Sequence, residues 1–232
     1  MDHPKQQELL FIVIPAYNEA SVIAATLAPL MAANHKIIVV DDCSRDGTWS
    51  VLENLPVIRI RHTINLGQGA ALQTGMEYAL QANADIVVHF DADGQHDANQ
   101  ILAIVEPIQA GRADVVFGSR FLRSSDLGEI PPSKRALLRV GRIVSGLITG
   151  VWLSDTHNGF RAMSKTAIES IRLRENGFAH ATEILDEVRR ARLRYVEVPT
   201  TIRSTDYSRA KGQPISNAFN ILLDMIVRKL FS

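Results

Sequence analysis

Short apolar runs alternate with helical patterns over the first 120 residues of the chain. The runs lie at residues 9–14, 36–41, 57–60, 85–90 and 114–117. They are apolar throughout, which is typical of strands that are covered on both faces. Helical windows separate them at residues 19–33, 46–54, 69–81 and 99–110. This order predicts an α/β fold with a mostly parallel central sheet flanked by helices.

The alternation breaks after Gly118, and the last third of the chain is more elaborate. A loop at residues 120–133 leads to a series of shorter segments. These are a helical window at 134–147, a short apolar run at 159–163, a helix near 181–190 and a strand at 194–198. Residues 214–231 carry apolar side chains at helical spacing, which predicts an amphipathic helix. We expect one domain that spans residues 1–232.

The composition narrows the possible partners and compartments. The chain has 232 residues, of which 46% are hydrophobic, so one sizeable core is expected. Its 25 basic and 25 acidic residues balance, which gives no electrostatic reason to expect a nucleic-acid partner. A single cysteine excludes a disulfide framework and favours a reducing compartment. Neither a signal peptide nor a membrane-spanning segment is evident, so we expect a cytoplasmic protein.

Carboxylates directly follow three of the predicted strands. Glu19 follows the first run, Asp41 and Asp42 close the second, and Asp91 and Asp93 follow the fourth. Ligands of open parallel sheets bind beyond the carboxyl ends of the strands. We therefore expect these side chains to meet at one binding edge.

Asp91 and Asp93 indicate a divalent cation. Two carboxylates so close together repel each other unless a cation joins them. Oxygen ligands with no cysteine nearby suit Mg²⁺ or Mn²⁺, which commonly bridge the phosphates of a substrate. Gln95 would add a neutral ligand, and His96 another if the metal were Mn²⁺. A lone Asp-x-Asp is usually a polar turn, but the carboxylates at neighbouring strand ends favour a metal site here.

Five ordered motifs carry a family resemblance. They are IVIPAYNEA, VVDDCSRDGT, NLGQGAALQTG, DADGQH and GFRAM. Together they resemble the inverting family-2 glycosyltransferases of GT-A fold, and most closely the branch that glycosylates polyprenyl phosphates. The resemblance extends from about residue 9 to residue 211. It implies a half of residues 9–118 that binds a nucleotide-sugar and a half of residues 119–213 that binds the acceptor, with the helix at 214–231 following.

The resemblance also implies roles for individual donor-site residues. The nucleotide would be held by Pro15, Ala16, Tyr17, Glu19, Val40, Asp42, Asp91, Ala92 and Asp93. The metal would be held by Asp91, Asp93 and Gln95. Arg120 matches an arginine near the transferring phosphates, and Asp155 matches a segment that faces the sugar. Asp91, Asp93, Arg120 and Asp155 are therefore the expected catalytic residues.

The acceptor segment departs from the family at one position. Behind Val198 and Pro199, the polyprenyl-phosphate branch has an arginine, a tyrosine and a lysine. Tyr207 and Lys211 match the last two, but Thr205 stands at the arginine position. Arg203 lies two residues earlier, on the same side of an extended segment. The expected phosphate-binding residues are Arg120, Arg135, Arg203, Arg209 and Lys211.

The chemistry of the acceptor favours a phosphate over a hydroxyl. A hydroxyl nucleophile needs a general base, whereas a phosphate monoester is largely a dianion at neutral pH and needs only cations around it. Arg135, Arg139 and Arg142 form one basic stripe at helical spacing. We expect metal-dependent, inverting transfer from a nucleotide-diphospho-sugar to dolichyl or undecaprenyl phosphate, with Mg²⁺ or Mn²⁺.

Two other functions stay open at this point. The first is transfer to a saccharide hydroxyl in cell-surface polysaccharide synthesis, with Asp155 or His157 as the base. The second is a nucleotide-binding protein without catalysis.

A lipid acceptor predicts contact with a membrane. The apolar sides of the helices at 134–147 and 214–231 pack either on the core or on a bilayer, and the pattern does not decide between the two. We expect peripheral binding at the cytoplasmic face, with a small integral-membrane protein as a further partner.

Overall fold

The computed structural model describes residues 8–122, 143, 146–147, 149–156, 158–177 and 179–203. The predicted C-terminal helix at 214–231 and most of the predicted helix at 134–147 lie outside these residues. In the described part of the chain, no helix is both long and apolar enough to cross a membrane.

One seven-stranded sheet runs through the described structure. Its strands are β1 Leu10–Ala16, β2 Lys36–Asp41, β3 Ile58–Arg61, β4 Ile86–His89, β5 Val115–Ser119, β6 Arg161–Ser164 and β7 Tyr195–Pro199. They lie in the order β3-β2-β1-β4-β6-β5-β7. Six strands run in one direction, and β6 is antiparallel to both of its neighbours, β4 and β5. The sheet is thus mostly parallel, as predicted.

Helices cover both faces of this sheet. They are α1 Ile23–Ala32, α2 Thr48–Glu53, α3 Gln68–Gln81, α4 Ile101–Gln109, α5 Lys165–Ser170 and α6 His180–Arg190, with a 3₁₀ turn at Ala98–Gln100 before α4. One core lies between the sheet and α3, α5 and α6, and the other lies between the sheet and α1, α2 and α4. The apolar strand residues are buried because each face of the sheet has its own helix layer.

The predicted elements and the observed ones differ in three places. Helix α1 begins at Ile23 rather than at residue 19, because residues 17–20 form a loop that binds the loop after β2. The short run predicted at 159–163 is β6, whose antiparallel direction the apolar pattern did not reveal. Helix α5 was not predicted; it is capped by Ser164, the last residue of β6, whose hydroxyl accepts a hydrogen bond from the Ala167 amide.

Helix α3 packs unusually close to β1 at Gly75. A Cβ atom built on Gly75 would lie 2.3 Å from Cγ1 of Val13, which is fully buried on the central part of the sheet. Glycine normally weakens a helix interior by about 1 kcal/mol relative to alanine. Its presence here allows the helix axis to approach the sheet.

We therefore predict that Gly75→Ala destabilises the fold by about 1–2 kcal/mol, since overpacking a core typically costs about 1–3 kcal/mol and outweighs the gain in helix propensity. Urea unfolding measures the change. In a Val13→Ala background, which removes the clashing methyl groups, the same substitution should cost much less. An equal cost in both backgrounds would contradict the close packing as its cause.

Candidate active site

The carboxyl ends of the parallel strands meet at one edge of the sheet, and the predicted donor residues lie there. Pro15 and Ala16 end β1, Val40 pairs with Pro15 from β2, and Asp91 follows β4 after one residue. The negative charges of Asp91 and Glu19 both raise the pKa of Asp93, so the three carboxylates act on one another electrostatically at this edge. The residues expected at one edge from their strand positions are thus brought together.

The loops that follow β1 and β2 are joined by hydrogen bonds. The amides of Asn18, Glu19 and Ala20 donate to Ser44 Oγ, Thr48 Oγ1 and Asp46 Oδ2 at 2.9, 2.8 and 3.1 Å, and the Arg45 amide donates to Asn18 Oδ1 at 2.8 Å. Asn18 and Cys43 both adopt left-handed backbone conformations to make these turns. Tyr17 projects from this joined pair of loops with 39% of its surface exposed.

Asp42 binds protein groups with both of its carboxylate oxygens. Oδ1 accepts from the Leu66 amide at 2.8 Å and lies 2.7 Å from His62 Nδ1, and Oδ2 accepts from the Gly67 amide at 2.6 Å. The residue is buried. These contacts hold the loop that precedes α3, so Asp42 shapes the loop beside the expected nucleotide site with its side chain.

Asp91 is held as an anion by neighbouring donors. His96 Nε2 lies 2.8 Å from Oδ2, and Gln68 Nε2 donates to Oδ1 at 3.3 Å. Burial alone would raise the pKa of Asp91, but the hydrogen bond from His96 and the nearby positive charges, including that of Arg161, hold it below its ordinary value. The imidazole of His96 stacks on the Phe160 ring, which fixes its plane.

The pKa of Asp93 is shifted in the opposite direction from that of Asp91. Burial and the negative charges of Asp91 and Glu19 raise its pKa, and the hydrogen bond from the Gln95 amide, 3.0 Å long, offsets this only in part. Thr26 Oγ1 on α1 donates to the Ala92 carbonyl at 3.0 Å and so fixes the loop between the two aspartates. A divalent cation at Asp93 would remove the repulsion that raises its pKa.

Three buried basic side chains interact electrostatically with Asp91. Arg161 on β6 is opposite His89 on β4, and His180 begins α6. Burial lowers the pKa of Arg161 to about 10, and it lowers the pKa values of His89 and His180 to about 3 and about 4. The two histidines are therefore neutral near pH 7, and the positive charge of Arg161 interacts with both Asp91 and Asp155.

Arg120 and Asp155 form a two-point ion pair at the end of β5. Arg120 Nε donates to Asp155 Oδ2 at 2.7 Å and Nη2 donates to Oδ1 at 2.8 Å, while the Arg120 amide also donates to Oδ2. Asp155 is buried, whereas 35% of the Arg120 side chain is exposed. In the described part of the chain, no group bonds to Arg120 Nη1.

The segment after β7 binds the loop that carries the aspartates. The Arg203 amide donates to the Gln95 carbonyl at 2.9 Å, and the Arg203 guanidinium donates to Asp97 at 2.9 Å. Gln100 bonds Thr201 through its amide side chain. Arg203, expected at the acceptor phosphate, thus lies next to the expected metal ligand Gln95, and in this structure its side chain binds a carboxylate.

Arg135, Arg209 and Lys211 lie outside the described residues, as do Arg139, Arg142, His157, Thr205 and Tyr207. Of the expected acceptor residues, the described structure places Arg120 and Arg203 at the carboxyl edge of the sheet.

Several contributors were not predicted from the sequence as site residues. Gln68 reaches Asp91 from the first turn of α3, and His96, considered only as a metal ligand, bonds Asp91 instead. Gly159 lies directly beneath that carboxylate, since a Cβ atom there would be 2.4 Å from Asp91 Oδ2. Gln68 lies in the NLGQG motif and Gly159 lies in the GFRAM motif, so the motifs were the one sequence signal that could have identified them as site residues.

The mostly parallel sheet, its antiparallel β6 and the carboxylate pair after β4 define a GT-A fold. The sequence profile of glycosyl transferase family 2 matches residues 11–172. The chain belongs to this family of transferases.

Two curated relatives and one solved structure illustrate the similarity. The UDP-N-acetylglucosamine–dolichyl-phosphate N-acetylglucosaminyltransferase of Methanococcus voltae is 31% identical, over 96% of this chain and 97% of its own length. The undecaprenyl-phosphate mannosyltransferase of Micrococcus luteus is 29% identical, over 86% and 85%. Glucosyl-3-phosphoglycerate synthase from Mycobacterium tuberculosis, crystallised with Mn²⁺, UDP-glucose and phosphoglyceric acid, superimposes with a TM-score of 0.65 at 20% identity, over 96% of this chain and 80% of that one.

The contact between Gly159 and Asp91 gives a prediction about the site. Gly159→Ala should displace the Asp91 carboxylate and lower the transfer rate by about ten- to a hundred-fold, because a misplacement of about 1 Å can have that effect. Gly177→Ala is the matched control, since its Cβ would meet no atom within 4 Å. Initial rates and thermal unfolding of both variants test this. Equal activity in the two folded variants would argue against the contact.

Proposed function

We propose that this protein transfers a sugar, with inversion, from a nucleotide-diphospho-sugar to a polyprenyl phosphate. The observation that carries the proposal is the Arg120–Asp155 pair. It leaves the Nη1 group of a partly exposed guanidinium without a partner among the described residues, at the carboxyl edge of the sheet. Arginine binds phosphate oxygens through parallel N–H groups, so this group suits a phosphate monoester.

Asp155 is a poor candidate for the base that a hydroxyl acceptor would need. Both of its oxygens accept hydrogen bonds from Arg120, and the residue is buried. A proton taken up there would have to displace a charge-assisted hydrogen bond. A phosphate acceptor avoids this difficulty, since its second pKa is about 6 and it is mostly a dianion at neutral pH.

A divalent cation fits the carboxylate edge. Asp93, Asp91 and Gln95 would hold Mg²⁺ or Mn²⁺, and the raised pKa of Asp93 is the observation that favours a cation there. The cation would stabilise the negative charge that develops on the departing diphosphate. In the described part of the chain no three His, Cys, Asp or Glu side chains converge on a metal position, so the donor's phosphate oxygens would supply the remaining ligands.

The protein groups have distinct tasks in this reaction. His96 and Gln68 orient Asp91, and the joined loops after β1 and β2 form the wall against which the nucleoside binds. Arg120 orients the acceptor phosphate for in-line attack on the anomeric carbon. The curated relatives support this acceptor class, since those from M. voltae and M. luteus are named for dolichyl phosphate and undecaprenyl phosphate.

A lipid acceptor requires access to a membrane, and we propose peripheral binding. Leu147 is 72% exposed and Trp152 is 50% exposed, and the Trp152 ring lies against Gly146. Tryptophan is enriched at membrane interfaces, so this apolar pair suits contact with a lipid surface at the cytoplasmic face. A small integral-membrane partner would strengthen such binding.

The proposal is tested by transfer of radiolabelled sugar from a panel of UDP-, GDP- and dTDP-sugars to undecaprenyl or dolichyl phosphate, in detergent with Mn²⁺. We expect label from one donor to enter the organic phase. The matching polyprenol, which lacks the phosphate, should accept none. Transfer to the polyprenol or to a soluble saccharide would show that the acceptor is a hydroxyl, and donor binding without any transfer would favour a non-catalytic role.

Asp93 provides a second test through its charge. Asp93→Asn keeps the shape of the side chain but removes the negative charge that a cation needs, so turnover should fall by roughly a hundred-fold or more. Asp85→Asn is a matched control, because Asp85 accepts the Leu9 amide at the opposite edge of the sheet. Single-turnover rates and calorimetric binding of the donor at several Mn²⁺ concentrations give the readout. Near-normal turnover of the Asp93→Asn variant would contradict the assignment of Asp93 to the metal.

A further inference from the structure

Glu197 holds the chain segment that carries Asp155. It lies on β7, opposite Phe117 of β5, and its carboxylate faces the backbone of Ser154 and Asp155. The Ser154 amide donates to both oxygens, at 2.8 and 2.9 Å, and the Asp155 amide donates to Oε1 at 3.2 Å. The Ser154 hydroxyl adds a bond of 2.7 Å. One carboxylate thus fixes two consecutive residues, the second of which binds Arg120.

The end of β5 is joined to the same network. Ser119 Oγ lies 2.5 Å from Ser154 Oγ, and because the Ser154 hydroxyl donates to Glu197, Ser119 is the donor between the two serines. The Phe121 amide donates to Ser119 Oγ, and the Phe121 ring lies 5.4 Å from the Arg120 guanidinium carbon. Arg120 is therefore held on one side by Asp155, which Glu197 fixes, and on the other by Phe121, whose amide bonds Ser119.

We propose that Glu197 is the positioning residue for Arg120, acting through Ser154 and Asp155 to aim the Nη1 edge of the guanidinium at the acceptor phosphate. This inference rests on the proposed function for the identity of the ligand, while the orientation of Arg120 can be measured without it. An arginine side chain has several rotatable bonds, so an ion pair alone leaves it mobile unless its carboxylate partner is itself fixed. Glu197 supplies that fixation with a carboxylate that accepts backbone amides.

The strand pair does not need Glu197 in order to form. Just before β5, Asp114 accepts the Arg194 amide at 2.8 Å and the Nε and Nη2 groups of the Arg194 guanidinium, and five residue pairs join β5 and β7 in register. Asp114 and Glu197 are thus both carboxylates that accept a backbone amide at this strand pair, Asp114 just before β5 and Glu197 in the middle of β7. Asp114→Asn is therefore a matched control for Glu197→Gln.

The kinetic test is a double-mutant cycle between Glu197→Gln and Arg120→Lys, assayed with polyprenyl phosphate. We expect Glu197→Gln to lower kcat/KM for the acceptor by about ten- to a hundred-fold, mainly through KM, with the donor KM changed by less than about two-fold. In the Arg120→Lys background, the same change should lower kcat/KM by less than about three-fold. Asp114→Asn should leave both parameters near wild type. Equal losses in both backgrounds would overturn the proposal, since Glu197 would then act independently of Arg120.

A spectroscopic test measures the orientation of Arg120 without any substrate. The Nε–H of Arg120, hydrogen-bonded to Asp155, should give a slowly exchanging ¹H–¹⁵N signal that is assigned by its loss in Arg120→Lys. This signal should be lost or exchange much faster in Glu197→Gln, and it should be retained in Asp114→Asn. An unchanged signal in Glu197→Gln would overturn the positioning role. If wild type transfers no sugar to a polyprenyl phosphate but the signal still depends on Glu197, then the proposed function fails and the positioning role stands.

Discussion

Repulsion between carboxylates is the constraint on which this site depends. A parallel sheet brings its carboxyl strand ends to one edge, and here that edge carries Glu19, Asp91 and Asp93. The protein neutralises this charge unevenly. His96, Gln68 and the buried Arg161 hold Asp91 as an anion, whereas Asp93 remains under repulsion from its neighbours. The difference leaves Asp93 as the carboxylate that would gain the most from a nearby positive charge.

At the end of β5, a positive charge is paired with a carboxylate: Arg120 binds Asp155. Asp155 binds only the Nε and Nη2 edge of the Arg120 guanidinium. Two roles are conceivable for Asp155, that of a general base and that of the ion-pair partner of Arg120. A carboxylate at the position of Asp155 looks like a general base in the sequence, but its contacts make it a holder of the arginine. Local geometry therefore decides which acceptor chemistry is reasonable.

Much of the fold and the main carboxylates were predictable, because both depend on local sequence. Strands β1, β2, β4 and β5 are recognisable from mainly apolar runs, and Asp91 and Asp93 closely follow one of them. The antiparallel direction of β6 was not predictable, since its pairing with β4 joins residues as distant as Ile86 and Ser164. The same holds for Glu197, whose partner Ser154 lies 43 residues away, and for the contacts of Asp42 with the amides of Leu66 and Gly67. Hydrogen bonds of this span leave no periodic signal in a sequence.

The position of β6 also determines how the chain must fold. It lies between β4 and β5, although it follows both of them in sequence by more than forty residues. A fragment that ended near residue 118 would contain β4 and β5 with no strand between them. Two open strand edges of this kind favour association with other chains. The nascent chain is thus exposed to aggregation until residues 161–164 have emerged, and a split version of the protein would need both fragments present together to close its sheet.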